Sequence, residues 1–182
     1  VFNADPKVMQ RIAPHIQRVL VIDFNASSAK LAGDLMKEIG ARQIVPVNRT
    51  ERAMAIAHDF DPQLIVTELT GQDLDGLEFT RQLRRSPAAC RKAPVIMITA
   101  EATAASITGA RNAGVHEFLR KPYTAGDLFK RVENVVLKPR PWIEAVMYVG
   151  PDRRRFNSGE FAGAKKRRSD GGQSIADALA KA

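Results

Sequence analysis

Arg153, Arg154 and Arg155 follow directly on Pro151-Asp152, with Trp142, Tyr148 and Phe156 close by in the chain. The planar guanidinium fork bonds bidentately to guanine O6 and N7, stacks on base faces and pairs with phosphate. Asp152 adds an acceptor for guanine N1–H and N2–H groups, or orients an arginine. The three aromatics offer stacking surfaces worth about 1 to 3 kcal/mol per base. Asn157 and Ser158 continue the polar run. A second, dispersed set comprises Asp23, Glu68, Thr99 and Lys121, each just beyond an apolar run. No nucleophile beside a base, no metal-ligand spacing and no phosphate-cradling glycine loop accompanies either set, so catalytic residues and an enzyme are not expected.

The apolar runs are the elements that must position these groups. Val19–Ile22, Ile44–Val47, Leu64–Thr67 and Val95–Ile98 read as buried parallel strands, and Phe118-Leu119 as a shorter fifth. Helical patterns lie between them. Ser27 or Ser28 is placed to cap a helix reaching Ile39, with Gly40 as its stop, and Thr50 to cap a second through His58. Leu77–Arg85, Thr103–Ala113 and Thr124–Leu137 give three more. The β-α alternation implies an α/β fold, a doubly wound five-stranded parallel sheet whose ligands gather outside the carboxyl ends of the strands. Asp23, Glu68, Thr99 and Lys121 stand at those ends.

The 182 residues allow one core and an appendage. Residues 1–17 form an N-terminal extension and 18–137 the domain. Lys138-Pro139-Arg140-Pro141 is an extended linker that cannot continue a helix, 142–172 the arginine-rich segment and 173–182 a tail with a weak helix from Ser174 to Ala180. Pro151-Asp152 is turn chemistry, so a strand ending near Val149 is expected to fold back into Arg153–Phe156 as a hairpin. From Asp152 to Gly172 the composition predicts disorder until something binds. The formal charge of +8 is concentrated beyond Lys138, which points to an anionic partner. No run spans a bilayer and Val1–Gln17 lacks a secretory pattern, so the expected location is cytoplasmic. Cys90 is expected to be inert, and His15, His58 and His116 to sit at the surface or at helix ends.

The order Asp23, Glu68, Thr99, Lys121-Pro122 resembles the CheY-like receiver domains of bacterial response regulators over roughly Arg18 to Leu137. That resemblance implies a phosphoryl-accepting acid after the third strand, an acid pair after the first that holds Mg²⁺, and a Thr and a Lys that contact the phosphoryl group. Two departures make the site degenerate. Phe24 replaces the second acid and supplies no oxygen to Mg²⁺, and Glu68 carries its carboxylate one methylene too far out for in-line transfer. Glu68 either reaches Lys121 and Thr99 as a mimic of the phosphorylated shape or forms a static ion pair with Lys121. Phe118 matches the aromatic that swings in receivers, with a plain core role as the alternative. Asp73-Leu74-Asp75-Gly76 resembles a receiver loop and is read as a solvated turn, with no metal site.

A doubly anionic ligand with two guanines, such as cyclic di-GMP, satisfies the inventory around Arg153. A degenerate receiver followed by "YVGPDRRRF" resembles the Cle family, CheY-like cyclic di-GMP effectors. The resemblance implies cyclic di-GMP as ligand in place of any cofactor, and a flagellar motor or cell-pole protein as partner, met through the last helices of the receiver. It also implies recruitment to the flagellated pole and an effect on swimming and surface attachment. Contacts are expected at Asp152–Arg155, then Tyr148, Phe156 and Asn157, then Trp142, Ser158 and the Lys165–Arg168 cluster. A phosphorylation-driven regulator and a polybasic tail for lipid or nucleic acid are the competing readings, nucleic acid being disfavoured.

Overall fold

The computed structural model describes residues 4–154. In chain order the strands are β1 (Arg18–Ile22), β2 (Gln43–Val47), β3 (Leu64–Thr67), β4 (Thr70–Gly71), β5 (Leu74–Asp75), β6 (Val95–Thr99), β7 (Glu117–Arg120), β8 (Trp142–Ala145) and β9 (Tyr148–Pro151). The helices are α1 (Pro6–Ile12), α2 (Ala26–Ile39), α3 (Thr50–Phe60), α4 (Gly76–Arg85), α5 (Ala104–Ala113) and α6 (Ala125–Leu137). The five expected strands form one parallel sheet in the order β2-β1-β3-β6-β7. Successive side chains leave a strand on opposite faces, and both faces here are covered. Val19, Val21, Val66 and Ile96 pack toward α1, α2 and α6, whereas Leu20, Ile22, Ile65 and Met97 pack toward α3, α4 and α5.

The chain reverses direction across the sheet between β1 and β3, which opens a crevice at their carboxyl ends. Asp23 and Glu68 emerge there. Local chemistry fixes the approaches to it, in two places differently from expectation. Asn25, not Ser27 or Ser28, caps α2, its side-chain oxygen accepting from the Ser28 N–H at 3.0 Å. Thr50 lies inside α3 and caps nothing. Its hydroxyl accepts from the Asp75 N–H at 2.9 Å and its own N–H donates to the Asp73 carbonyl at 3.2 Å, tying α3 to the β4–β5 hairpin. Tertiary bonds thus outcompete the local cap. Thr103 and Thr124 do close reciprocal capping boxes on α5 and α6.

The segments on either side of the receiver pack back onto it. In the N-terminal extension α1 is capped by Asp5, and Ile12 and Ile16 are fully buried in the same layer as α6. A hairpin does form after the linker, one step earlier than expected. Its turn is Val146-Met147, β8 pairs antiparallel with β9, and Pro151 faces Trp142 as the last residue of a strand. A proline has no N–H to give a ladder, and the end of an edge strand is where that costs nothing. Nor does the hairpin stand apart. Tyr148, Gly150 and Pro151 are buried, and β9 packs on α4 and α5. The chain's own residues therefore occupy part of the last-helix surface expected to be open for docking. Arg155, Phe156, Asn157, Ser158, the Lys165–Arg168 cluster and the Ser174–Ala180 helix lie outside the described residues.

Candidate functional site

The crevice at the sheet's carboxyl end holds one ammonium between two carboxylates. Lys121, which precedes a cis peptide bond to Pro122, donates from Nζ to Glu68 Oε2 at 2.6 Å and to Asp23 Oδ2 at 3.0 Å. The other oxygens are also engaged: Glu68 Oε1 accepts from the Leu69 N–H at 2.8 Å and Asp23 Oδ1 from the Asn25 N–H at 2.8 Å. Burial acts to lower the Lys121 pKa, but the hydrogen bonds and charges of Glu68 and Asp23 outweigh it and hold the group above its ordinary range. The cluster is a closed ion triad. The extra methylene of Glu68 carries its carboxylate onto Lys121, a contact that both readings of Glu68 share. Thr99 is buried, and its hydroxyl accepts from the Glu101 N–H at 3.1 Å.

Phe24, at the place of the missing acid, is 47% exposed, and its ring lies over Gly71 of the β4–β5 hairpin. A Cβ at Gly71 would come within 2.0 Å of Phe24 Cδ1, so the glycine is what lets the ring lie there. An apolar ring thus stands where the receiver resemblance implies a second acid. Asp73 and Asp75 do not make good the loss. Asp75 caps α4 through the Glu78 N–H, and Asp73, at φ 57°, forms a turn with its carboxylate 3.8 Å from exposed Arg49. Among the described residues no group of three His, Cys, Asp or Glu could hold a metal ion.

Replacing Lys121 by Met is expected to cost about 3 kcal/mol, because Asp23 and Glu68 remain buried without a cation. Urea unfolding measures it, and a loss below about 1 kcal/mol would mean that the triad is not a structural lock.

The description "Response regulator receiver domain" matches residues 19–133. The chain belongs to the response regulator receiver family. This receiver is 27% identical over 118 residues to the probable chemotaxis protein CheY of Rhizobium etli, covering 65% of this chain and 91% of that one. It is 25% identical to the chemotaxis protein CheY of Pseudomonas aeruginosa, covering 65% and 94% of the two chains. Among solved structures, Vibrio cholerae chemotaxis protein CheY4 superposes with a TM-score of 0.61 at 20% identity, over 66% of this receiver and 98% of that chain, a likeness of fold.

The second candidate set lies where the hairpin meets the receiver. Arg84, the largest fully buried side chain, donates from Nε and Nη2 to the Gly114 carbonyl at 3.1 and 2.9 Å. Its Nη1 reaches the carbonyls of Arg91 at 2.7 Å and Ala93 at 2.9 Å. Burial pulls the guanidinium down to about 9, which leaves it charged at neutral pH. Trp142 lies over that charge, 5.3 Å from ring centre to guanidinium carbon, with Lys92 at 5.7 Å, and its indole N–H donates to Glu144 at 2.9 Å. Tyr148 is buried and its hydroxyl donates to the Pro151 carbonyl at 2.5 Å. Both aromatics are thus engaged with their own protein. Asp152 is partly buried, and Arg153 and Arg154 leave the hairpin exposed.

His15 and His58 are exposed as expected, but His116 is not a simple surface residue. Its Nδ1 accepts from the Val95 N–H at 3.2 Å and lies 3.2 Å from Arg84 Nη2. Burial, then the charges of Arg84 and Arg140, hold it well below the ordinary imidazole range. A depressed imidazole pKa makes the unfolded chain bind the extra proton first, so stability falls as pH drops below about 6.5 toward the folded-state pKa. Unfolding free energies measured from pH 7 to pH 5 should therefore decline less in H116Q than in the parent protein. Cys90 donates its thiol to the Ala57 carbonyl at 3.1 Å, and burial pushes its pKa up, which suits an unreactive side chain.

Proposed function

We propose that this receiver is a non-enzymatic signalling protein of the Cle type that binds cyclic di-GMP through the arginine-rich segment beginning at Asp152. In this reading the liganded protein acts on a flagellar motor or cell-pole partner to change motility. The observation that carries it is the placement of exposed, cationic Arg153 and Arg154 beside the Asp152 carboxylate at the end of a hairpin seated on the receiver. Support also comes from the acid crevice, where Lys121 is committed to Glu68 and Asp23 while Phe24 stands in the metal position. The named relatives are chemotaxis proteins, which fits a role in motility. No helix among the described residues is long and apolar enough to cross a membrane.

Calorimetry of the full chain with cyclic di-GMP and with cyclic di-AMP tests the proposal. Saturable heat with a preference for the guanine ligand is expected, because adenine lacks O6 and the N1–H and N2–H donors that Arg and Asp read. Equal heats that weaken steeply together with salt would point to general polyanion binding. A stoichiometric mass gain with a small phosphodonor and Mg²⁺ would instead favour a phosphorylation-driven regulator.

A further inference from the structure

Arg153 is exposed yet held at two points, which is unusual for a long cation at the end of a strand. Its guanidinium lies 4.5 Å from the centre of the Tyr148 ring, and its Nη1 donates to Asn112 Oδ1 at 3.1 Å. Asn112 belongs to the last turn of α5, far away in sequence. The Tyr148 ring is itself fixed: a Cβ on Gly150 would lie 2.7 Å from its hydroxyl and 3.0 Å from Gly114 Cα, so only glycine lets the two backbones and the ring meet so closely.

Asp152 is strapped in the same way. Its N–H donates to the Pro141 carbonyl at 2.7 Å, its carbonyl accepts from Arg140 Nη1 at 3.1 Å, and its carboxylate accepts from the Arg154 N–H at 3.0 Å. Arg140 Nη2 bonds the carbonyls of His116 and Val115, just before β7.

We propose that the receiver builds part of the ligand site: Asn112, with Tyr148 and Arg140, positions Arg153 and Asp152 so that a guanine dinucleotide meets a preset cation and acceptor. The inference rests on the cyclic di-GMP reading and adds to it residues that lie outside the arginine run. Holding the fork in advance removes rotamer entropy that the ligand would otherwise have to remove on binding. Among the described residues the Nη1 bond to Asn112 is the one hydrogen bond of the Arg153 fork, which leaves its other donors for base or phosphate. Asn112 is a positioning residue in this scheme, acting through Arg153.

The test is a double-mutant cycle on the full chain, with cyclic di-GMP as probe and calorimetry as readout. N112A is expected to weaken binding about tenfold, the scale of one hydrogen bond to a charged group. R153A should weaken it more, and N112A/R153A no more than R153A alone, since residues that act as a unit are not additive. Asn112 is exposed, so the unfolding midpoint of N112A should stay at the parent value. Unaltered affinity in N112A, or losses that simply multiply, would overturn this inference while leaving cyclic di-GMP binding in place. Absence of heat with the unsubstituted chain would remove the parent reading and this inference together.

Discussion

Replacing Arg84 by Met should destabilise the protein by about 3 to 5 kcal/mol and release the β8–β9 hairpin from the receiver. Among the described residues Arg84 has no carboxylate partner: its donors go to the carbonyls of Gly114, Arg91 and Ala93 and toward His116 Nδ1. Methionine fills comparable apolar volume but leaves those carbonyls without a donor, and a buried acceptor without a partner costs its full desolvation penalty. Lysine should rescue little, because three donors on a point cannot reproduce a planar fork that spans the last turn of α4, the loop before β6 and the Gly114 corner. The sole tryptophan reports the second half of the prediction. With the cation gone from beneath Trp142, its fluorescence should shift to the red well before the sheet unfolds in urea. Global stability within about 1 kcal/mol of the parent would mean that the guanidinium is not what closes this seam.

The double substitution R153A/R154A should lower cyclic di-GMP affinity by about a hundredfold or more while leaving the unfolding midpoint nearly unchanged. Both side chains are exposed, and the described bonds of Arg153 and Arg154 run to exposed Asn112, the Asp152 carboxylate and the face of the Tyr148 ring. Surface substitutions of this kind move stability by only a few tenths of a kcal/mol. Binding is different, since each charge-assisted bond to phosphate or guanine contributes about 1.5 to 3 kcal/mol, and two removed together take away a factor of at least a hundred. Calorimetry and thermal unfolding on the same samples separate the two effects. Parent-like affinity in the double variant would move the ligand site away from Asp152–Arg154 altogether.

The core strands and the helices between them were legible because burial on both faces of a parallel sheet writes itself as short β-branched runs, and Leu64–Thr67 has the bounds the sequence implies. The acid crevice was legible for the same reason: once strands are placed, their next residues must gather at one edge, which brings Asp23, Glu68 and Lys121 together. Phe24 and Glu68 could be read as departures from receiver chemistry, and the static pair between Glu68 and Lys121 was one of two stated outcomes.

What the chain's order could not tell is which polar groups meet across long sequence separations. Neither Arg84 nor Asn112 carries a signal in the sequence, and His116 reads as a surface or helix-end imidazole. Each acquires its role from carbonyls, rings or guanidinium groups tens of residues away. The hairpin shows the same limit, since Pro151-Asp152 carries the local propensity of a turn while the packing of Tyr148 and Gly150 against Gly114 places the turn at Val146-Met147. Local periodicity and composition, which depend on near neighbours, determined the sheet, the crevice acids and the arginine run by themselves. Only tertiary contacts decided where the hairpin sits and what steadies Arg153, because the free energy of such contacts lies in desolvated pairs that no single stretch of residues contains.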